Sequence, residues 1–186
     1  ETLWLLRLEC AAMKFSGFLE GLVNARGNVI REAWDRLAPL PGGKSIFSEF
    51  VSRAVPYTGT IDAKVEELRA GHAEISMKDK RAVRNHLGSV HAIALANLAE
   101  YAGNLAVQYS MPDDARFIVA GMSMQYLKKA RGTIRGVCDC PIPTTAEKKE
   151  YTVRVSLVDK GGEEVATATL KTLIGPKKDK EKKSKN

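Results

Sequence analysis

What this chain lacks narrows its class before anything it contains. None of its apolar runs approaches the roughly 18 residues that cross a bilayer. The nearest, Leu3 to Ala12, is broken by Arg7 and Glu9, so it reads as a helix docking on other protein and no transmembrane segment is expected. Cysteine is scarce, with only Cys10, Cys138 and Cys140. Three thiols cannot all pair with one another, and Cys138 and Cys140 stand two apart on one face of an expected strand, where bridging is geometrically poor. A disulfide scaffold is thereby disfavoured, and an intracellular, reducing compartment, the cytoplasm or the mitochondrial matrix, is the simpler expectation. No internal repeat and no signal-peptide cleavage pattern is visible. Because the chain opens at Glu1, processing or truncation ahead of it is expected.

Charge is unevenly spread. The net charge is +7, but six lysines against Asp179 and Glu181 put +4 of it from Pro176 onward, leaving +3 for the other 175 residues. A lysine-rich end without aromatic or aliphatic residues cannot bury enough surface to fold, so residues 176–186 are expected to be a disordered, solubilising tail. Nucleic acid is a disfavoured partner, since the tail offers no stacking groups. The remainder, in a chain of 186 residues that is 44% hydrophobic and 27% charged, suits one domain with a real core.

Periodicity divides that remainder. Leu5, Leu8, Ala12, Phe15, Leu19, Leu22, Ile30 and Leu37 recur at helix-compatible intervals, and residues 1–42 are read as an N-terminal helical extension anchored by Trp4 and Trp34. This extension is the candidate surface for a protein partner. Leu40-Pro41-Gly42-Gly43 breaks it, and Ser45 is the expected N-cap of a short helix that ends at Pro56. From Thr58 the period becomes two: Ile61, Ala63 and Val65, then Ala73, Ile75 and Met77, flank an Arg69-Ala70-Gly71 turn and predict a hairpin. A helix over Gly88 to Tyr109 follows, and then four strands, Arg116 to Leu127, Thr133 to Cys140, Tyr151 to Asp159 and Glu164 to Ile174. Strand, strand, helix and four strands do not alternate as a doubly wound fold does, so an α+β fold is predicted, an antiparallel sheet with one central helix. Ala92, Ala94, Ala96, Ala99, Ala102, Gly103 and Ala106 leave that helix slim enough for a sheet to wrap it.

The stretch most able to carry chemistry leads into the helix: Asn85-His86-Leu87-Gly88-Ser89, then His91, then Leu98-Ala99-Glu100. Backbone N–H groups at a helix start can hold a developing oxyanion, and a carboxylate further along can act on water. With the strand order around it, this stretch resembles the hotdog-fold acyl-CoA thioesterases, in particular a branch with an Asn-His-x-Gly-Ser/Thr turn before the central helix. The resemblance spans about Ser45 to Ile174, making residues 43–175 a hotdog domain.

That resemblance implies a homodimer or higher hotdog oligomer in which each active site draws on both protomers. Ala92 and Glu100 are eight residues apart, about 12 Å along a helix and roughly 80° around it, so one helix cannot easily aim both at one thioester carbon, whereas a partner helix running the other way can. By similarity, the Ala92 N–H receives the thioester oxygen. Glu100 of the neighbouring subunit acts as base or nucleophile, and Asn85 orients water or carbonyl. His86, Gly88 and His91 shape the site, and Lys128, Lys129 and Arg131 are candidate contacts for the phosphates of coenzyme A, which enters as part of the substrate. No other cofactor is implied. His86 and His91 stand five apart, not the four of a helical metal pair, with no third ligand evident, so no metal is expected. Plainer readings stand beside these: Glu100 as an ordinary helix residue, Asn85 as a cap, the basic cluster as a solvated turn. Two departures from the family pattern, Ala92-Ile93 where many relatives have two glycines and no Ser or Thr near Leu127-Lys128, leave a second reading open, that of an inactive accessory or structural subunit of a larger assembly.

Overall fold

The computed structural model describes residues 27–177. The expected helix upstream of Gly27, Trp4 and Cys10 within it, and the lysine-rich tail from Lys178 lie outside these residues.

Helix α1 (Val29–Leu37) starts at Asn28, whose side chain accepts from the Arg31 N–H at 3.2 Å. Its buried Ile30, Ala33, Trp34 and Leu37 share one face, the spacing of an amphipathic helix on a core. Helix α2 (Gly43–Ala54) begins two residues before the expected Ser45 cap. Its N-cap is Gly42, at φ +74°, a left-handed turn that brings the chain back so closely that a Cβ on Gly43 would sit 1.7 Å from the Leu37 carbonyl oxygen. Glycine at both positions, and no side-chain cap, shapes this entry. Trp34 meets Phe47 edge to face at 5.1 Å between ring centroids. Pro56 does not merely end α2; it opens the single-turn α3 (Pro56–Gly59) at a position where its missing N–H costs nothing.

The hairpin forms as read. β1 (Lys64–Arg69) and β2 (His72–Met77) join through Ala70-Gly71, with Gly71 at φ +75°. Ser48 fastens α2 to it, donating to the Lys44 carbonyl at 2.7 Å and accepting from the Val65 N–H at 2.9 Å. The central helix, α4 (Ala92–Ser110), is followed by β3 (Ala115–Tyr126), β4 (Ile134–Asp139), β5 (Lys149–Val158) and β6 (Glu164–Pro176). Every strand pair is antiparallel, in the order β1-β2-β4-β5-β6-β3. β6 outruns the expected Ile174: Pro176 pairs with Ala115 and the Lys177 N–H donates to the Asp114 carbonyl at 2.7 Å, so the first residues of the expected tail are held by the sheet.

The sheet wraps α4 through small residues on both sides of the contact. Ala99, Ala102 and Ala106 are fully buried. A Cβ on Gly103 would meet Leu170 at 3.2 Å, and one on Gly136 of β4 would meet Ala102 and Leu98 at 3.3 Å. Ile30, Trp34 and Leu37 of α1 join the same buried cluster as Leu98, Val155 and Leu170, so α1 and α2 pack on part of the side of α4 that the sheet leaves open. β3 is an edge strand of twelve residues, and Ile118, Met122 and Tyr126 stand exposed along it.

Candidate active site

The helix starts later than its sequence suggests, and the reason lies in Asn85. Its Oδ1 accepts from the Leu87 N–H at 3.0 Å and from the Ser89 N–H and hydroxyl, each at 3.2 Å. An asparagine that satisfies its own downstream backbone makes a turn in place of a helix, and Gly88, at φ +67°, completes it. Gly88 and Ser89 therefore belong to a loop, and the first helical turn is Ala92 to Leu95. His91 is the N-cap: its Nδ1 accepts from the Ile93 N–H at 3.1 Å, and its own N–H donates to the Val83 carbonyl at 2.8 Å.

These bonds decide what is left for a ligand. The Ile93 N–H is taken, whereas the Ala92 N–H has no acceptor among the described residues. The Ala92 carbonyl accepts from the Tyr126 hydroxyl at 3.2 Å, fixing the helix start against the end of β3. Asn85 has spent its oxygen on the turn, so only its Nδ2 hydrogens remain to act on anything else. His86 is exposed and makes no hydrogen bond among the described residues.

The loop is anchored from both sides. The Val90 N–H donates to the Ala130 carbonyl at 2.9 Å, which brings Lys129 and Arg131, both exposed, next to the helix entry. Asp79 accepts from Arg84 Nε at 2.6 Å and from the Gly132 N–H at 2.9 Å. The Arg84 guanidinium, aided by that N–H, holds the Asp79 carboxyl below its ordinary range. Lys128 is differently placed from its neighbours: it pairs with Asp159 at 2.9 Å and with Glu163, and these carboxylates raise its pKa. Of the three candidate phosphate contacts, Lys129 and Arg131 border the site, while Lys128 already serves the β5–β6 turn.

Glu100 lies two turns into α4, half-buried, accepting from Asn104 Nδ2 at 3.4 Å. It shares a side of the helix with Ile93, which is 55% exposed. Neither the sheet nor α1 and α2 cover that side fully, so within one chain Glu100 and the Ala92 N–H are not brought onto one point. Sequence reading missed Asn97, Asn104 and the hydroxyl of Tyr126. Asn97 ties α4 to α3 by donating to the Tyr57 carbonyl at 3.1 Å. Polar residues on an otherwise apolar helix were the available signal for the two asparagines.

Comparison with known proteins agrees with this layout. The family model described as Domain of unknown function (DUF4442) matches residues 43–174. A search of the curated proteins finds no significant match. Among solved structures, the structural-genomics target APC5556 is 30% identical, with a TM-score of 0.69 over 80% of this chain and 99% of its own. PA5026 of Pseudomonas aeruginosa, described as a probable thioesterase, is 25% identical, with a TM-score of 0.65 over 74% of this chain and 97% of its own. A thioesterase family protein from Silicibacter pomeroyi, 17% identical, has a TM-score of 0.60 over 70% of this chain and 96% of its own, and shares the fold. The architecture is the hotdog fold of these thioesterase neighbours.

Proposed function

We propose that this chain, which belongs to the family described as Domain of unknown function (DUF4442), hydrolyses acyl-CoA or a related acyl thioester in a site shared between two protomers. The observation that carries the reading is the state of α4: an N–H at Ala92 without an acceptor among the described residues, where the helix dipole is positive, and a half-buried carboxylate eight residues on, on the side of the helix that carries the exposed Ile93. The likeness to PA5026, described as a probable thioesterase, supports the same chemistry.

The outer edge of β3 supplies the means of pairing. Its exposed Ile118, Met122 and Tyr126 are costly to leave in water beside unpaired strand groups. Antiparallel pairing with a second β3 covers them and runs two α4 helices side by side in opposite directions. Each Glu100 then faces the partner's helix start, where the thioester oxygen sits on the Ala92 N–H. Glu100 takes a proton from water, the water oxygen bonds to the carbonyl carbon, and the negative charge on the carbonyl oxygen is held by that N–H and the Asn85 amide. Collapse of this intermediate breaks the carbon–sulfur bond, and the proton held by Glu100 passes to the departing thiolate, giving a carboxylic acid and free coenzyme A. Lys129 and Arg131 meet the phosphates.

Assay of the purified chain against acyl-CoAs of graded chain length tests this, with Glu100→Ala and Asn85→Ala in parallel and native mass measurement of the assembly. Removing one oxyanion donor costs about a hundredfold or more in rate. A dimer inactive on every chain length would overturn the enzyme reading. The consumed Asn85 oxygen and the ion-paired Lys128 favour a second reading in that event, an accessory subunit that kept the fold without the chemistry.

A further inference from the structure

Tyr126 is the last residue of β3, and its backbone pairs with Ala166 of β6. Immediately beyond it the Leu127 and Lys128 N–H groups both donate to the Val165 carbonyl, at 2.9 and 3.2 Å. The ring therefore stands on a strand end that is held to β6, and from there its hydroxyl donates to the Ala92 carbonyl at 3.2 Å. A carbonyl inside a helix accepts from the N–H four residues on and keeps a second lone pair, so this bond is added to α4 and takes nothing from it.

The residue it holds has little else to hold it. Alanine offers almost no side chain to pack, and the next residue, Ile93, is 55% exposed. The first turn of a helix lacks intrahelical partners for its N–H groups and is where fraying starts. The other ties at the entry of α4 run from the Val90 N–H to Ala130, from the His91 N–H to Val83 and from the Ile93 N–H to the His91 ring. Each acts on a neighbour of Ala92. Among the described residues, the Tyr126 hydroxyl is the one group outside the helix that bonds to Ala92 itself.

Resting on the hydrolase reading above, we propose that Tyr126 is a positioning residue: it sets the direction of the Ala92 N–H that receives the thioester oxygen, and it does so most firmly in the dimer. Antiparallel pairing of two β3 strands covers the Tyr126 ring, which is 49% exposed in the single chain, and a hydrogen bond shielded from water is stronger than one that competes with it. The edge that joins the protomers and the donor that meets the oxyanion are thereby linked by one side chain, so that assembly orders the start of α4.

Tyr126→Phe keeps the ring and removes only the hydroxyl. At concentrations where native mass measurement shows the dimer, the variant should keep the KM and melt close to the parent protein, yet lose about tenfold in kcat, short of the hundredfold or more that follows outright loss of an oxyanion donor. Hydrogen exchange at the Ile93 and Leu95 amides should quicken by about fivefold, the loss of one ordinary hydrogen bond. In the parent protein the same two amides should exchange more slowly in the dimer than after dilution to monomer, a comparison that needs no variant. Parent-like kcat and exchange in Tyr126→Phe overturn the proposal, as does a change in only one of the two, or exchange in the parent protein that is the same before and after dilution. If the parent dimer turns over no thioester, the hydrolase reading fails; quicker exchange in Tyr126→Phe then upholds Tyr126 as the tie on the helix start, and unchanged exchange removes that as well.

Discussion

Replacing Asn85 separates the two roles that one side chain can play at the helix entry. Asn85→Ala deletes the acceptor for three donors. The Leu87 N–H lies on an exposed turn and can turn to water, so its share is a few tenths of a kcal/mol. The Ser89 N–H and hydroxyl belong to a residue only 4% exposed, and leaving them partly unsatisfied costs on the order of 1–3 kcal/mol. Two backbone bonds, from Asn85 N–H to the Ser89 carbonyl and from Gly88 N–H to the Asn85 carbonyl, keep the turn from opening entirely. The expected loss is therefore about 2 kcal/mol, which in a domain of this size lowers Tm by about 4–8 °C. Asn85→Asp keeps an oxygen acceptor at the same place and should melt much closer to the parent protein, yet it removes the Nδ2 hydrogens.

Thermal and urea denaturation of the two variants, beside hydrogen exchange at the Leu87 and Ser89 amides, tests the turn. Thioesterase rates of Asn85→Asp test the amide. A folded but slow Asn85→Asp assigns the Nδ2 group to the reaction, while full activity confines Asn85 to the turn. If Asn85→Ala melts at the parent temperature and its Ser89 amide exchanges no faster, the reasoning about this turn is refuted.

Three further outcomes follow from the packing and charge. Gly43→Ala should lose about 3 kcal/mol in urea denaturation, because its Cβ would strike the Leu37 carbonyl at 1.7 Å and backbone must shift to admit it. Phe47→Ala, at a fully buried ring that meets Trp34 edge to face, should cost about 3–5 kcal/mol and shift the tryptophan fluorescence as α1 loosens. Asp79 has a folded-state pKa held low by Arg84, so its contribution is complete above its unfolded value of about 3.9 and disappears as the pH falls through the lower folded value. The stability gap between the parent protein and Asp79→Asn, measured by urea at a series of pH values, should be about 1–2 kcal/mol near neutrality and shrink below about pH 4.

Much of the fold was legible because half-buried antiparallel strands write their pattern openly. Ala73, Ile75 and Met77 are all buried, as are Val153, Val155 and Leu157, with more exposed residues between them, so alternation alone located the strands to within about three residues. Helix starts were less legible, for a shared physical reason. Ser45 and the Gly88-Ser89 pair have cap-like composition, but tertiary constraints chose otherwise: the approach of Gly43 to Leu37 moved one start upstream, and the Asn85 turn moved the other downstream to His91. Both misreadings arise where a residue bonds or packs against a neighbour that composition does not reveal.

The site divides along the same line. Ala92, Glu100 and Asn85 could be singled out because they sit in one contiguous stretch, and the structure refines what each has free to offer. The cavity lined by Ile30, Phe50, Tyr101 and Phe117 could not be read, since these residues come from four elements. Because α1 and α2 roof that cavity, changes in Phe50 or Ile30 should loosen its walls and leave the Asn85 turn at the start of α4 as it is, so hydrogen exchange at the Ser89 amide should not quicken in Phe50→Ala.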